Sequence, residues 1–192
     1  MIRARGLSKR FGAKRVFEGL DFDVERGGFL LVTGPNGSGK TTLLRLVAGL
    51  LVPTAGELHV DAERAGLGFL AHEPLVYREL TALENLQFFA RLYHLPEAGE
   101  RIGMLLERFG LWEVRNERAG SFSRGMLQRL ALCRTFLHQP SLLLLDEPYN
   151  ALDAEGTALL ERELAGHAGT YVVATHDPGR LTPLATQRLA FA

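Results

Sequence analysis

Residues 29–42 read Phe-Leu-Leu-Val-Thr-Gly-Pro-Asn-Gly-Ser-Gly-Lys-Thr-Thr, and this stretch decides the fold. Phe29-Leu30-Leu31-Val32 is a short apolar run and reads as a buried strand. It runs straight into Gly34-Pro35-Asn36-Gly37-Ser38-Gly39-Lys40-Thr41, which satisfies the pattern G-x-x-x-x-G-K-[ST]. Glycines permit backbone conformations that a Cβ forbids, so successive N–H groups can turn inward on phosphate oxygens. The candidates for that cradle are Asn36, Gly37, Ser38 and Gly39, with Thr42 opening the helix that follows. From Thr41 the residues Leu43, Leu44, Leu46, Val47 and Leu50 recur at helical spacing until Pro53 stops them. The positive N-terminal end of that helix meets the same anion. Lys40 is placed to reach the β- and γ-phosphates, and the Thr41 hydroxyl to ligate Mg²⁺. The cofactors expected are therefore ATP and Mg²⁺. A Gly-rich turn would match four constrained positions by chance in roughly one case in a hundred over this length.

Working outward, the first thirty residues read as short strands and turns: Ile2-Arg3-Ala4, Val16 to Val24, then a turn at Gly27-Gly28. Gly56-Glu57-Leu58-His59-Val60-Asp61 alternates and predicts a strand. From about 75 to 137 the pattern is mainly helical. Thr81 and Glu84 form a capping box before a helix with Leu83, Leu86, Phe89 and Tyr93 on one face. Gly110 and Gly120 punctuate further helices and Pro140 ends the last. Strands return at Leu142 to Leu145 and at Tyr171 to Thr175. Strands alternating with helices predict an α/β core on a largely parallel sheet, interrupted by a helical insertion.

Leu142-Leu143-Leu144-Leu145-Asp146-Glu147 is a buried strand ending in two adjacent carboxylates. Such a pair is costly unless it meets a cation or a network. Asp146 at the strand end is placed to meet Mg²⁺ through water. Glu147 faces another direction and can polarise a water for in-line attack on the γ-phosphate. The plainer alternative is two solvated carboxylates in a loop, with Asp146 as a cap.

Composition sets the bounds. The chain has 192 residues, 46% hydrophobic and 23% charged, enough for one domain with a sizeable core. Lys+Arg and Asp+Glu both number 22, so the net charge is zero, which argues against a nucleic-acid-coating protein. No run approaches the roughly 20 apolar residues that span a bilayer. The N-terminus has Arg3, Arg5, Lys9 and Arg10 but no apolar stretch behind them, unlike a secretory signal. One cysteine, Cys133, allows no internal disulfide or cysteine-based metal cluster and makes a reducing cytoplasm the default. It reads as a core filler. His59, His94, His138 and His167 show no ligand spacing and read as structural or surface residues.

Phe122-Ser123-Arg124-Gly125-Met126, about twenty residues before Asp146, resembles the L-S-G-G-Q signature of ABC ATPases. Tyr149-Asn150-Ala151-Leu152-Asp153 resembles their D-loop, and Thr175-His176-Asp177 their H-loop. Phe11 falls where the family has an aromatic that stacks on adenine, and residues 49–57 match its usual run after the phosphate loop. The resemblance covers essentially the whole chain. It implies a P-loop NTPase (RecA-like) core, an N-terminal antiparallel β subdomain and an inserted α-helical subdomain at about 75–137, all in one nucleotide-binding domain over 1–192. It implies ATP hydrolysis, with Glu147, His176 and Lys40 as catalytic residues and His176 sensing the γ-phosphate. Ser123 and Gly125 would offer a hydroxyl and an N–H to the γ-phosphate across a dimer.

Local alternatives stand beside these. Asp153 also reads as a helix N-cap, and so does Asp177 with Pro178 in the first turn. His176 also reads as a structural histidine, and Phe11 as plain core. The sequence departs from the family at Arg124 and Met126, where Gly and Gln are usual, and at Glu73, which stands where the family has a Gln. A carboxylate can ligate Mg²⁺ but cannot donate as an amide can. Altered Mg²⁺ dependence is therefore expected, and unchanged Mg²⁺ affinity and turnover in Glu73→Gln would count against it.

The resemblance also implies a head-to-tail homodimer or paired ABC ATPase, with each ATP between one phosphate loop and the other chain's Ser123. ATP would close the pair and hydrolysis release it. Leu75, Val76 and Tyr77 are candidate contacts to integral membrane transporter subunits, or else pack in this chain's own core. The chain ends sixteen residues after His176, which predicts a stand-alone subunit, peripheral on the cytoplasmic face of the membrane, with no nucleic-acid partner. His72 with Pro74, and Glu79-Leu80-Thr81-Ala82-Leu83-Glu84-Asn85-Leu86, are similar to the ATP-binding subunit of haem exporters of cytochrome c maturation. The Ser123–Met126 form also resembles ATPases of other small-subunit exporters, for drugs, polysaccharide or ions. Ribosome-bound and DNA-repair ABC ATPases usually carry two cassettes or a long coiled coil, and this sequence has neither.

Overall fold

The computed structural model describes residues 1–166 and 168–191, and for Arg64 the backbone alone. The expectation for His167 therefore lies outside the described residues. The chain divides into two compact units, 1–72 with 141–148 and 168–192, and 73–140 with 149–167.

The first unit holds two sheets. β1 (Ile2–Phe11) pairs antiparallel with β2 (Lys14–Val24) and with β4 (Ala55–Val60), in the order β2-β1-β4. β1 is far longer than the three residues expected from its sequence. Register shifts between Ala4 and Leu7, Leu7 and Lys9, and Lys9 and Arg10 break its alternation, so the period-two signal fades after Ala4. The second sheet is wholly parallel: β5 (Leu67–Leu70), β6 (Leu142–Asp146), β7 (Thr170–Thr175), β3 (Phe29–Thr33) and β8 (Gln187–Ala190), in that spatial order. β6 and β7 are buried at every residue, which is why they read as unbroken apolar runs. β5 and β8 were not foreseen. Each has only four residues, and β8 is an edge strand with Gln187, Arg188 and Ala190 exposed.

One core serves both sheets. Ile2, Leu7, Phe17 and Phe22 pack with Leu30, Val32, Leu144 and Val172 and with Leu43, Leu44, Leu46 and Val47 of α1 (Lys40–Val47). α1 stops at Val47, short of the expected Pro53. Gly49 turns left-handed at φ +69°, and the N–H groups of Leu50 and Leu51 fold back on the Arg45 carbonyl. Leu50 is thereby left 62% exposed.

The second unit is helical: α2 (Ala82–Leu92), α3 (Gly99–Arg108), α4 (Arg124–Phe136) and α5 (Ala154–Gly166). The expected capping box starts α2. Thr81 Oγ1 accepts from the Glu84 N–H at 3.1 Å, and Glu84 accepts from the Thr81 N–H at 2.8 Å. Leu86 and Phe89 are buried and belong to its inward face. α4 is the central helix, buried from Leu127 to Phe136, with Phe136 6.2 Å from Phe109, the cap residue of α3. Cys133 is fully buried there, its thiol pushed up by burial, as a core filler should be. His138 tilts against Tyr93 at 4.3 Å. Among the described residues no helix is long and apolar enough to cross a membrane.

Candidate nucleotide site

The loop from Thr33 to Lys40 leaves the end of the central strand β3 and enters α1. Gly39, the cap residue of α1, has φ +112°, and a Cβ there would stand 2.7 Å from Val16 Cγ1, so only glycine fits. The loop forms one wall of a cavity of about 580 Å³ lined by Asn36, Gly37, Ser38, Gly39, Lys40, Thr41 and Thr42. Asp146 and Glu147 close another side, and Phe11, Lys14, Arg15 and Val16 of the β1–β2 hairpin a third. His72 completes it. All of these belong to the first unit. Phe11 is not core: it is 49% exposed, with Lys9 Nζ 4.9 Å above its ring.

The two acids have different surroundings. Asp146 is 1% exposed and accepts the Thr41 hydroxyl through Oδ2 at 2.7 Å, while its Oδ1 has no hydrogen-bond partner. Burial pushes the Asp146 carboxyl above its usual value, against the Thr41 hydrogen bond. Glu147 sits at φ +50°, held by its N–H on the Ala174 carbonyl at 2.8 Å. Its Oε2 accepts the Thr175 hydroxyl at 2.9 Å and meets His176 Nδ1 at 2.9 Å. Its Oε1 lies 3.6 Å from Lys40 Nζ and has no hydrogen-bond partner. The solvated-loop alternative for these acids fails, because both are buried. Lys40 itself donates to the Gly34 carbonyl at 2.7 Å and the Pro35 carbonyl at 3.1 Å.

Mg²⁺ fits the residues present. A buried carboxylate oxygen without a partner beside a threonine hydroxyl is an oxygen donor set for a hard cation. No group of three His, Cys, Asp or Glu among the described residues could hold a metal alone, so the ion would share its shell with phosphate oxygens.

Glu73, Ser123, Gly125 and Asp153 belong to the second unit. Ser123 caps α4, its hydroxyl accepting from the Met126 N–H at 3.2 Å, which leaves its own O–H free to donate. A Cβ at Gly125 would meet the Ala151 carbonyl oxygen at 2.9 Å. Arg129, 8% exposed, bonds Asp153 Oδ1 at 2.6 Å and Glu155 at 3.1 Å, and Asp153 also caps α5 through the Gly156 N–H at 2.8 Å. The helix expected after Asp177 is absent. Asp177 accepts from Gly179 at 3.3 Å and the chain continues in turns to Leu184: the helical bond from the Thr182 N–H to the Pro178 carbonyl is not propagated, because Pro183 has no N–H to continue the ladder. Leu75 is 52% exposed, which sets aside its core alternative; Tyr77 is 46% exposed but packs its ring edge-on against Phe88 at 4.9 Å, and Val76 is half-buried.

Sequence patterns assign no role to Thr175, Lys14, Arg15 or the cavity position of His72. Thr175 adjoins His176, and Lys14 and Arg15 open β2 just after Phe11, but only the folded chain brings Thr175 to Glu147 and the two basic residues to the cavity.

The profile of the family described as ABC transporter matches residues 17–150. A "Cytochrome c biogenesis ATP-binding export protein CcmA" of Pseudomonas savastanoi is 39% identical over 91% of this chain and 87% of that protein. An "Uncharacterized ABC transporter ATP-binding protein YdbJ" of Bacillus subtilis is 38% identical over 92% of this chain and 61% of that one. A dimeric structure of the ATP-binding cassette MJ0796 in a post-hydrolysis state, bound to ADP and Pi, superposes with a TM-score of 0.86 at 26% identity, over 100% of this chain and 94% of that one.

Proposed function

The chain belongs to the ABC transporter family and is an ATP hydrolase of it, and from that premise we propose that it drives haem export for cytochrome c biogenesis through separate membrane subunits. The similarity to the cytochrome c biogenesis export protein over nine-tenths of both chains carries this reading. The whole of 1–192 acts as one nucleotide-binding domain, with its helical subdomain at about 75–137. It works as a dimer, peripheral on the cytoplasmic face, and exposed Leu75 and Tyr77 face the membrane subunits.

Phe11 stacks on adenine. The N–H groups of Asn36, Gly37, Ser38, Gly39 and Thr42 with the start of α1 take the phosphates, and Lys40 leaves the loop carbonyls for the β- and γ-oxygens. Thr41 and Asp146 would hold Mg²⁺, which would supply charge neutralisation on the phosphates. Glu147 accepts the proton of the attacking water. Thr175 and His176 fix its Oε2, so Oε1 is the oxygen left for that water. His176, half-exposed, also contacts the γ-phosphate. Ser123 and Gly125 of the partner close on the same phosphate, with Arg124 and Met126 altering the surroundings.

Deleting the gene and complementing with wild type or Lys40→Ala tests the export reading by in-gel staining for covalently bound haem. Loss of c-type cytochromes, restored by wild type alone, is expected. Unchanged c-type cytochromes would leave the ATPase and overturn the cargo, pointing to a drug, polysaccharide or ion exporter instead.

A further inference from the structure

The two acids at the end of β6 each have a histidine neighbour. His176 bonds Glu147. His72, which follows β5, lines the same cavity as Thr41 and Asp146. β5 and β6 are hydrogen-bonded neighbours with Leu70 opposite Leu145, so the residues leaving both strands emerge side by side. His72 is exposed. Hydroxyl, carboxylate and phosphate oxygens suit Mg²⁺ and Mn²⁺ alike, and of the two the transition ion Mn²⁺ accepts an imidazole nitrogen more readily than the hard cation Mg²⁺.

We propose that His72 supplies an imidazole nitrogen to the ion held with the nucleotide at Thr41 and Asp146, which turns the site toward Mn²⁺ relative to Mg²⁺. This rests on the nucleotide-site reading above. No group of three His, Cys, Asp or Glu among the described residues could hold a metal, so Mn²⁺ binding at Thr41, Asp146 and His72 depends on the nucleotide's phosphate oxygens.

The test uses protein labelled with ¹⁵N-histidine, Mn²⁺ and the non-hydrolysable analogue AMP-PCP, read by pulsed electron paramagnetic resonance. A ¹⁵N coupling to Mn²⁺ is expected in wild type and in His176→Gln, and its loss in His72→Gln. Equilibrium titration should show the preference for Mn²⁺ over Mg²⁺ falling about tenfold in His72→Gln, at the low end of the loss that removing a metal-site partner brings. Bound Mn²⁺–AMP-PCP without ¹⁵N coupling, or with coupling that survives in His72→Gln, would overturn the role of His72 and leave the nucleotide site standing. Failure of AMP-PCP to bind at all would overturn both.

Discussion

At the scale of single residues, Glu147 is held on three sides. Its N–H, its Oε2 and its ion-pair neighbour Lys40 are all accounted for, and one buried oxygen is left over. Replacing it by glutamine keeps shape and backbone while removing the proton acceptor. Glu147→Gln should lower ATP turnover by about a hundredfold or more and accumulate an ATP-bound dimer on size-exclusion chromatography. Normal turnover would remove Glu147 from the role of base. Lys40, Thr41, Asp146 and Glu147 were legible in the sequence because their chemistry is fixed by spacing along one loop and one strand. Thr175 and His72 were not, because their place depends on which strands β6 neighbours. No pattern within Tyr171–Thr175 says that its last hydroxyl meets a carboxylate twenty-eight positions earlier.

At the scale of elements, local chemistry predicted α2 well, and there the prediction can be tested. Thr81→Ala removes one half of the capping box and should cost about 1 kcal/mol, a fall of roughly 2–4 °C in the thermal midpoint by calorimetry. An unchanged midpoint would show the box to be redundant with tertiary packing. The start of α5 carries a pH signature. The Gly156 N–H and then the Arg129 guanidinium hold the Asp153 carboxyl below its usual value. A depressed folded value gives stability that is present above the unfolded pKa and lost as pH falls through the folded one. The thermal midpoint should therefore hold above about pH 5 and decline below about pH 4. Asp153→Asn should flatten part of that decline, and an identical profile would rule Asp153 out as a contributor. Elements whose signal is weak by nature escaped the sequence. β1 is bulged three times, and β5 and β8 are too short to show a period.

At the scale of the whole molecule, the order of the parallel sheet was not legible either, since alternation of strands and helices says that a sheet is parallel but not which strand lies in its middle. Here β3 lies between β7 and β8, with Phe29 opposite Tyr171 and Leu30 opposite Gln187. A chain cut after residue 169 keeps the phosphate loop but strips both neighbours from its strand. It should lose nucleotide binding by equilibrium dialysis, and retained binding would mean that the loop is shaped by local contacts alone. The same topology has a meaning in time. On the ribosome the strand that carries the phosphate loop is made before both of its neighbours, which arrive about 140 residues later. At usual elongation rates that is a wait of roughly seven to thirty seconds. During synthesis this apolar strand is exposed without its ladder, and the nascent chain holds a nucleotide-binding sequence that cannot yet bind nucleotide.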